Sequence, residues 1–351
     1  MRAVFNLRDL LFDRAPIIQA PMAAGVSTPE LVAGVTNEQG IGSLGVAYDS
    51  PGSIAESMLK VKSLTSGPFN VNLFIFPPVK QPHHSVIQKA IDELNNFLEG
   101  GELSLDECIP PYFYSLEEQL EPIWDIRPDI LTFHLGIPSK KIIEKAKSLK
   151  MLTGVTATCV NEARLIKEVG SDFIIAQGIE AGGHRGTFET SGETDDGLST
   201  MKLSQILIKE QDLPIVSAGG IMTGRDILDF LSIGAIAVQM GTAFLCCPEA
   251  GTSDDHKRYL LDKVKRKTCL TKAFSGRKAR SIEVEFVRLM DGKFVLPFPI
   301  QNKLTRLLRQ KLSNPEYQSF WAGSNYRITE DLPVRDLMVK LKAELNALKK
   351  T

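Results

Sequence analysis

A histidine set among glycines is the first residue of this chain suited to acid–base chemistry. His184 lies in Glu180–Ala181–Gly182–Gly183–His184–Arg185–Gly186, and an imidazole titrates near neutrality. The flanking glycines leave the backbone free to turn the ring into a pocket. A second histidine, His134, stands in the apolar stretch Ile130–Leu135. It is either a core histidine with a satisfied hydrogen bond or part of a pocket wall. Two turns, Ser217–Ala218–Gly219–Gly220 and Gln239–Met240–Gly241–Thr242, suit a different task. Their glycines let backbone N–H groups approach a phosphate closely. A helix starting near Thr223–Gly224 would aim its positive end at the same anion. Three amides, Asn72, Gln177 and Gln239, stand in or at the ends of apolar runs. Buried amides need partners, and a ring with alternating donors and acceptors, such as a flavin, would satisfy all three. The adjacent thiols Cys246 and Cys247 have no evident base beside them and are set aside as nucleophiles.

These groups can act together only if a scaffold brings them to one mouth. Short β-branched runs ending in small or turn residues recur at Ile17–Pro21, Ile41–Gly45, Phe69–Phe74, Ile130–Leu135, Met151–Ala157, Phe173–Gly178, Pro214–Gly220 and Ala235–Gly241. Several are apolar at nearly every position, as strands buried on both faces should be. Helical spacing fills Pro29–Gln39, Ser139–Lys150, Asn161–Val169 and Gly224–Ile233, and Thr28 caps the first of these ahead of its proline. Eight strands alternating with helices make an α/β fold, the TIM (β/α)8 barrel, whose active site lies at the C-terminal strand ends.

The expected division is a barrel over 1–250, with 75–129 containing an insertion near the mouth. A smaller substrate-side cap follows over 251–320, and 321–351 packs back on the barrel. The insertion opens with Pro77, Pro78 and Pro82 and carries a helix-like stretch from Ser85 to Leu98. The basic segment Lys257–Arg280 reads as a solvated helix and loop, and Asp336–Lys349 reads as a helix.

Composition excludes several classes. The 351 residues are 43% hydrophobic and 24% charged, the profile of a globular protein rather than a disordered one. A net charge of −1 gives no global field toward nucleic acid or anionic membrane, so neither partner is expected. No apolar run approaches the roughly 20 residues of a membrane span. Met1–Phe12 carries two arginines but no signal-peptide pattern, which leaves the cytoplasm as the expected location. The five cysteines and five histidines are scattered, so neither a disulfide framework nor a metal site is expected.

At this level of detail the residues resemble a known family. Gln19–Ala20–Pro21–Met22–Ala23, Val26–Ser27–Thr28–Pro29, Gly67 to Phe74, Gln177 to Gly186, Ala218 to Ile221 and Gln239 to Phe244 closely resemble class I nitronate monooxygenases, formerly called 2-nitropropane dioxygenases. The match runs from about Ala15 to Glu249 and resumes at Pro297–Arg309 and Phe320–Gly323. The stretch around His184 is its most specific part, whereas the glycine pairs alone are shared by many flavin barrels.

The resemblance implies a tightly but non-covalently bound FMN and no metal. It assigns FMN contacts to Asn72, Gln177, Gly182, Gly219, Gly220, Gln239, Met240, Gly241 and Thr242, with Met22 under the ring system. His184 matches the family's catalytic histidine, and His134 falls in a Phe–His–x–Gly stretch that lines the substrate pocket. The implied reaction oxidises alkyl nitronates, propionate 3-nitronate in particular, with O2 to a carbonyl compound and nitrite. His184 would hold the nitronate over the flavin, and with a neutral nitroalkane it would first remove the α-proton. Phe298 stands where the family often carries tyrosine, and Ser324–Asn325 replace the usual residues, so no catalytic role is expected C-terminal to Thr242. A homodimer is compatible with this reading. The alternative on the same scaffold is an NAD(P)H-dependent FMN reductase acting on an enoyl thioester or a quinone.

Overall fold

Strands that are apolar throughout must be covered on both faces, and here a ring of helices covers the outer one. The computed structural model describes residues 6–76, 79–98, 103–188, 195–262 and 266–349, so Pro77 and Pro78 lie outside the described residues. Parallel strands β1 (Ile17–Gln19), β2 (Gly42–Gly45), β3 (Phe69–Phe74), β4 (Ile130–His134), β5 (Leu152–Ala157) and β6 (Phe173–Gln177) are followed by a two-residue strand, β7 (Gly183–His184), that belongs elsewhere. The parallel set resumes with β8 (Ile215–Ala218) and β9 (Ala237–Met240). Hydrogen bonding runs β1-β9-β8-β6-β5-β4-β3-β2. Bridges from Ile18 to Ile41 and Met22 to Leu44 join β1 to β2 and complete the barrel. The fold is the TIM barrel expected from the alternation.

Side chains alternate across each strand. Ile130, Leu152, Phe173 and Ala237, each first in its strand, cluster with Leu7 and Leu11, so the helix Leu7–Leu10 closes the N-terminal end. Val32, Leu44, Val71, Leu131, Val155, Ile174 and Leu203 pack between strands and helices, each fully buried side chain contributing about 1.5–3 kcal/mol. The helices Pro29–Asn37, Lys140–Ser148, Val160–Glu168 and Gly224–Ser232 lie where the spacing places them. Pro51–Leu64, Leu116–Ile126 and Thr200–Glu210 complete the alternation. Within 75–129, the helix Leu116–Ile126 packs on Pro51–Leu64 as an ordinary crossover. The helix His84–Asn95 instead joins a second core, with Ile87, Ile91 and Leu94 against Phe274, Phe286 and Leu304. The C-terminal helix Val334–Leu348 lies on Gly224–Ser232 and Pro29–Asn37.

The segment Lys257–Arg280 departs from its expected form. After the helix Asp254–Leu261 it supplies β10 (Thr268–Thr271) and, with the residues that follow, β11 (Ala279–Ile282), which form an antiparallel sheet in the order β10-β11-β7. The reason lies in distant parts of the chain. Arg280 Nε donates to the carbonyl of Ile179 at 2.9 Å, and Arg277 Nε donates to that of Arg185 at 3.3 Å. The guanidinium groups therefore find acceptors in the chain instead of water. No helix among the described residues is long and apolar enough to cross a membrane.

Candidate active site

The site begins where β4 and β6 end. His134 closes β4, and its Nε2 lies 3.1 Å from the carbonyl oxygen of His184. A carbonyl only accepts, so His134 carries its proton on Nε2. The same oxygen accepts from Gln177 Nε2 at 3.1 Å, and Gln177 Oε1 accepts from Gly186 N at 2.7 Å. Gly186 is needed there, because a Cβ would stand 2.7 Å from His134 Cε1. At the far end of the loop, buried Glu162 accepts from the N–H of Phe188 and from Thr158. Glu180 takes a structural part, accepting from Thr200 N and Oγ1 at 2.8 Å.

β7 pairs antiparallel with β11, His184 opposite Ala279, so the imidazole stands between barrel and cap. Its ring lies 5.6 Å from Phe298, 5.5 Å from Trp321 and 6.3 Å from Phe74. The wall continues through Phe76, stacked on Phe113 at 3.9 Å, and through Tyr48, 5.6 Å from Phe74. Phe298 and Trp321 lie beyond Thr242, so the C-terminal region supplies walls that the sequence reading left out. His184 Nε2 is buried and, among the described residues, has no hydrogen-bond partner. Burial lowers the His184 pKa to about 3, and His134, Arg277 and Arg309 push in the same direction. Burial likewise lowers His134 to about 4, against the bond to the His184 carbonyl. Both imidazoles are therefore neutral at pH 7.

The seat beside this chamber is built from the ends of β8 and β9. Gly219 and Gly220 have φ of +125° and +70°, which only glycine adopts readily. A Cβ on Gly182 would stand 2.6 Å from the Ala322 carbonyl carbon and the Gly323 nitrogen. One on Gly241 would meet Ala20 Cβ at 3.3 Å and Met22 Sδ at 3.8 Å, which places Met22 beside the end of β9. The Met240 carbonyl accepts from Ala20 N at 2.8 Å, and Thr242 Oγ1 accepts from Gly323 N at 2.9 Å.

Two expectations are revised. Asn72 Nδ2 donates to Thr132 Oγ1 at 2.9 Å and Gln177 is engaged by the histidine loop, so both already have partners within the chain. Of the three amides, Gln239 is the one left with a buried, unpartnered oxygen. The helix at Thr223–Gly224 offers little to an anion, because Asp226 accepts from Met222 N and Thr223 N, and Glu344 accepts from Gly224 N at 2.8 Å. A phosphate seat would therefore rest on the glycine turns.

The arrangement fits a planar phosphorylated ring: a buried oxygen awaiting a donor, a thioether near the end of the same strand, and turns packed tightly around their glycines. Cys246 and Cys247 are buried, and burial pushes both thiols up to about 12, away from nucleophilic use.

A family model described as Nitronate monooxygenase matches residues 8–344. A probable nitronate monooxygenase of Staphylococcus haemolyticus is 37% identical over 95% of this chain and 94% of its own. The nitronate monooxygenase of Paraburkholderia phytofirmans is 37% identical over 97% and 94%. A solved nitroalkane oxidase from Streptomyces ansochromogenes superposes with a TM-score of 0.90 at 34% identity, covering 97% of this chain and 99% of that one.

Proposed function

The chain belongs to the nitronate monooxygenase family, and on that premise we propose that it binds one FMN and oxidises small alkyl nitronates with O2 to a carbonyl compound and nitrite. The observation that carries this is the buried, unpartnered Nε2 of His184 inside an aromatic chamber beside a glycine-built seat. Gly182, Gly219, Gly220 and Gln239 to Thr242 would hold the cofactor, with Met22 against its ring, and Asn72 and Gln177 would add only the polar atoms that their bonds within the chain leave over. When bound, FMN supplies the acceptor for the substrate's electrons and the route to oxygen.

The chain's own residues do the rest. A neutral His184 can donate an N–H to a nitronate oxygen, and Arg277 and Arg309, whose positive charges act on this ring, favour an anion in the chamber. With a neutral nitroalkane the other tautomer, protonated on Nδ1, leaves Nε2 free to take the α-proton. Phe74, Phe298 and Trp321 exclude water and give the alkyl chain an apolar surface. His134 borders the substrate through its ring, since its N–H is committed to the loop.

The test is oxygen consumption and nitrite release by the FMN-loaded protein given propionate 3-nitronate. Turnover with stoichiometric nitrite supports the reading. No turnover, together with rapid loss of flavin absorbance on anaerobic addition of NADH, overturns it in favour of a reductase.

A further inference from the structure

An extended segment sends alternate side chains to opposite sides. His184 enters the chamber, and the next residue, Arg185, turns back into the protein, where it is 3% exposed. Its guanidinium meets Asp195 in two-pronged fashion, Nη2 to Oδ1 at 3.0 Å and Nε to Oδ2 at 3.1 Å. Both side chains of this ion pair are buried. The remaining arm, Nη1, donates to the Gln177 carbonyl at the end of β6. Main-chain bonds hold Arg185 from the cap side: its N–H donates to the Lys278 carbonyl at 2.9 Å, and its own carbonyl accepts from Arg277. Asp195 is fixed in turn by the N–H of Gly197 at 3.1 Å.

We propose that the Arg185–Asp195 pair is a positioning latch for His184. It ties a barrel strand end, the histidine loop and the segment that follows the loop to one rigid fork, and so sets where the imidazole points. This rests on His184 being the acid–base group. Gly182, Gly183 and Gly186 bring no side chain of their own to anchor the loop, and the bonds to the His184 main chain leave the side chain some freedom. A planar fork with fixed donor directions removes it, which a lysine's single ammonium cannot do. A buried ion pair adds little net stability over apolar residues of similar volume. Its orienting role can therefore be separated from any role in holding the fold.

The separating variant is the double replacement Arg185→Met with Asp195→Leu, which leaves no charge buried without a partner. The latch predicts an unchanged melting temperature and FMN content. It predicts a fall in kcat on a neutral nitroalkane of about tenfold or more, since small misplacement of a reacting group is costly. Turnover of the preformed nitronate should fall less. Histidine ¹⁵N NMR of the full chain gives a readout independent of turnover. With its pKa lowered by burial to about 3, His184 should stay neutral down to pH 5 in the parent, and it should begin to titrate between pH 5 and 7 in the double variant as the ring gains access to water.

Parental substrate ratio and parental His184 titration in the double variant would overturn the latch. Should the double variant fail to fold, Arg185→Lys, which keeps the charge but loses the fork, is judged by the same two readouts. A parent protein inert toward nitronates would sink the proposed reaction, while the NMR comparison would still decide the latch.

Discussion

His134 Nε2 sits 3.1 Å from the carbonyl oxygen of His184, so the tautomer of one histidine is tied to the backbone position of the other. Protonation at the other nitrogen of His134 would strengthen that bond and so raise its pKa, but burial outweighs the gain. The burial that lowers both imidazoles therefore acts on a linked pair. His134→Phe removes one of two donors to the His184 carbonyl and leaves the Gln177 amide in place. Losing one such bond costs about 1 kcal/mol. The expected result is a urea midpoint shifted by that amount and a lowered kcat with KM little changed. A KM rise with kcat unaltered would instead make His134 a binding surface alone, with no part in holding His184.

His184→Asn separates the two uses of the imidazole. An amide can still donate to a nitronate oxygen but cannot take a proton from carbon. General-base contributions are about 10²- to 10⁴-fold, so neutral nitroalkane oxidation should fall by at least about 10² while nitronate oxidation falls far less. Steady-state oxygen uptake with matched pairs of the two substrates reads the difference. Equal losses would reject the base role.

Gln239→Leu should act with opposite signs on the empty and loaded protein. The amide oxygen is buried without a donor, and removing such a group relieves a penalty of about 1–3 kcal/mol. The apoprotein should melt higher than its parent. FMN affinity should drop about tenfold if that oxygen accepts from the flavin ring. Flavin titration of the apoprotein, followed by fluorescence, measures the second effect, and an unchanged affinity would remove Gln239 from the seat.

Acid should unfold the protein through its histidines. Burial places His134 at about 4, His184 at about 3 and His256 at about 4, all below the ordinary 6.5. Between those values the unfolded chain binds protons that the folded one does not, so stability is full above pH 6.5 and falls as pH drops toward 4. Each histidine contributes about 1.4 kcal/mol per pH unit in that window. Urea midpoints should be level from pH 8 to 7 and fall steeply below 6. His256→Phe, which can keep the stack on Phe320, should shallow the fall by one proton.

The barrel was legible because strands covered on both faces are written as unbroken apolar runs, and the ends of those runs locate the mouth. The sequence pattern also contained what was passed over: Ser115 and Glu118 form a capping box that announces the helix Leu116–Ile126. Other features were not readable. Arg277 and Arg280 looked like solvated charge because their acceptors, the carbonyls of Arg185 and Ile179, lie about a hundred residues away in the chain. Asn72 and Gln177 looked like amides in need of a ligand because no local pattern shows Thr132 or the histidine loop facing them. Phe298 and Trp321 met the chamber only once the cap had folded over the mouth.

β7 forms its ladder with β11 while the carbonyl of His184 is held by His134 and Gln177 at the barrel's strand ends, so the imidazole at 184 stands on a bridge between drum and lid. That bridge is encoded between β6 and β8, within the barrel's own stretch of gene, and the sheet it joins is encoded well downstream of it, at β10 and β11. A lineage that altered its lid would therefore re-aim this ring without losing it.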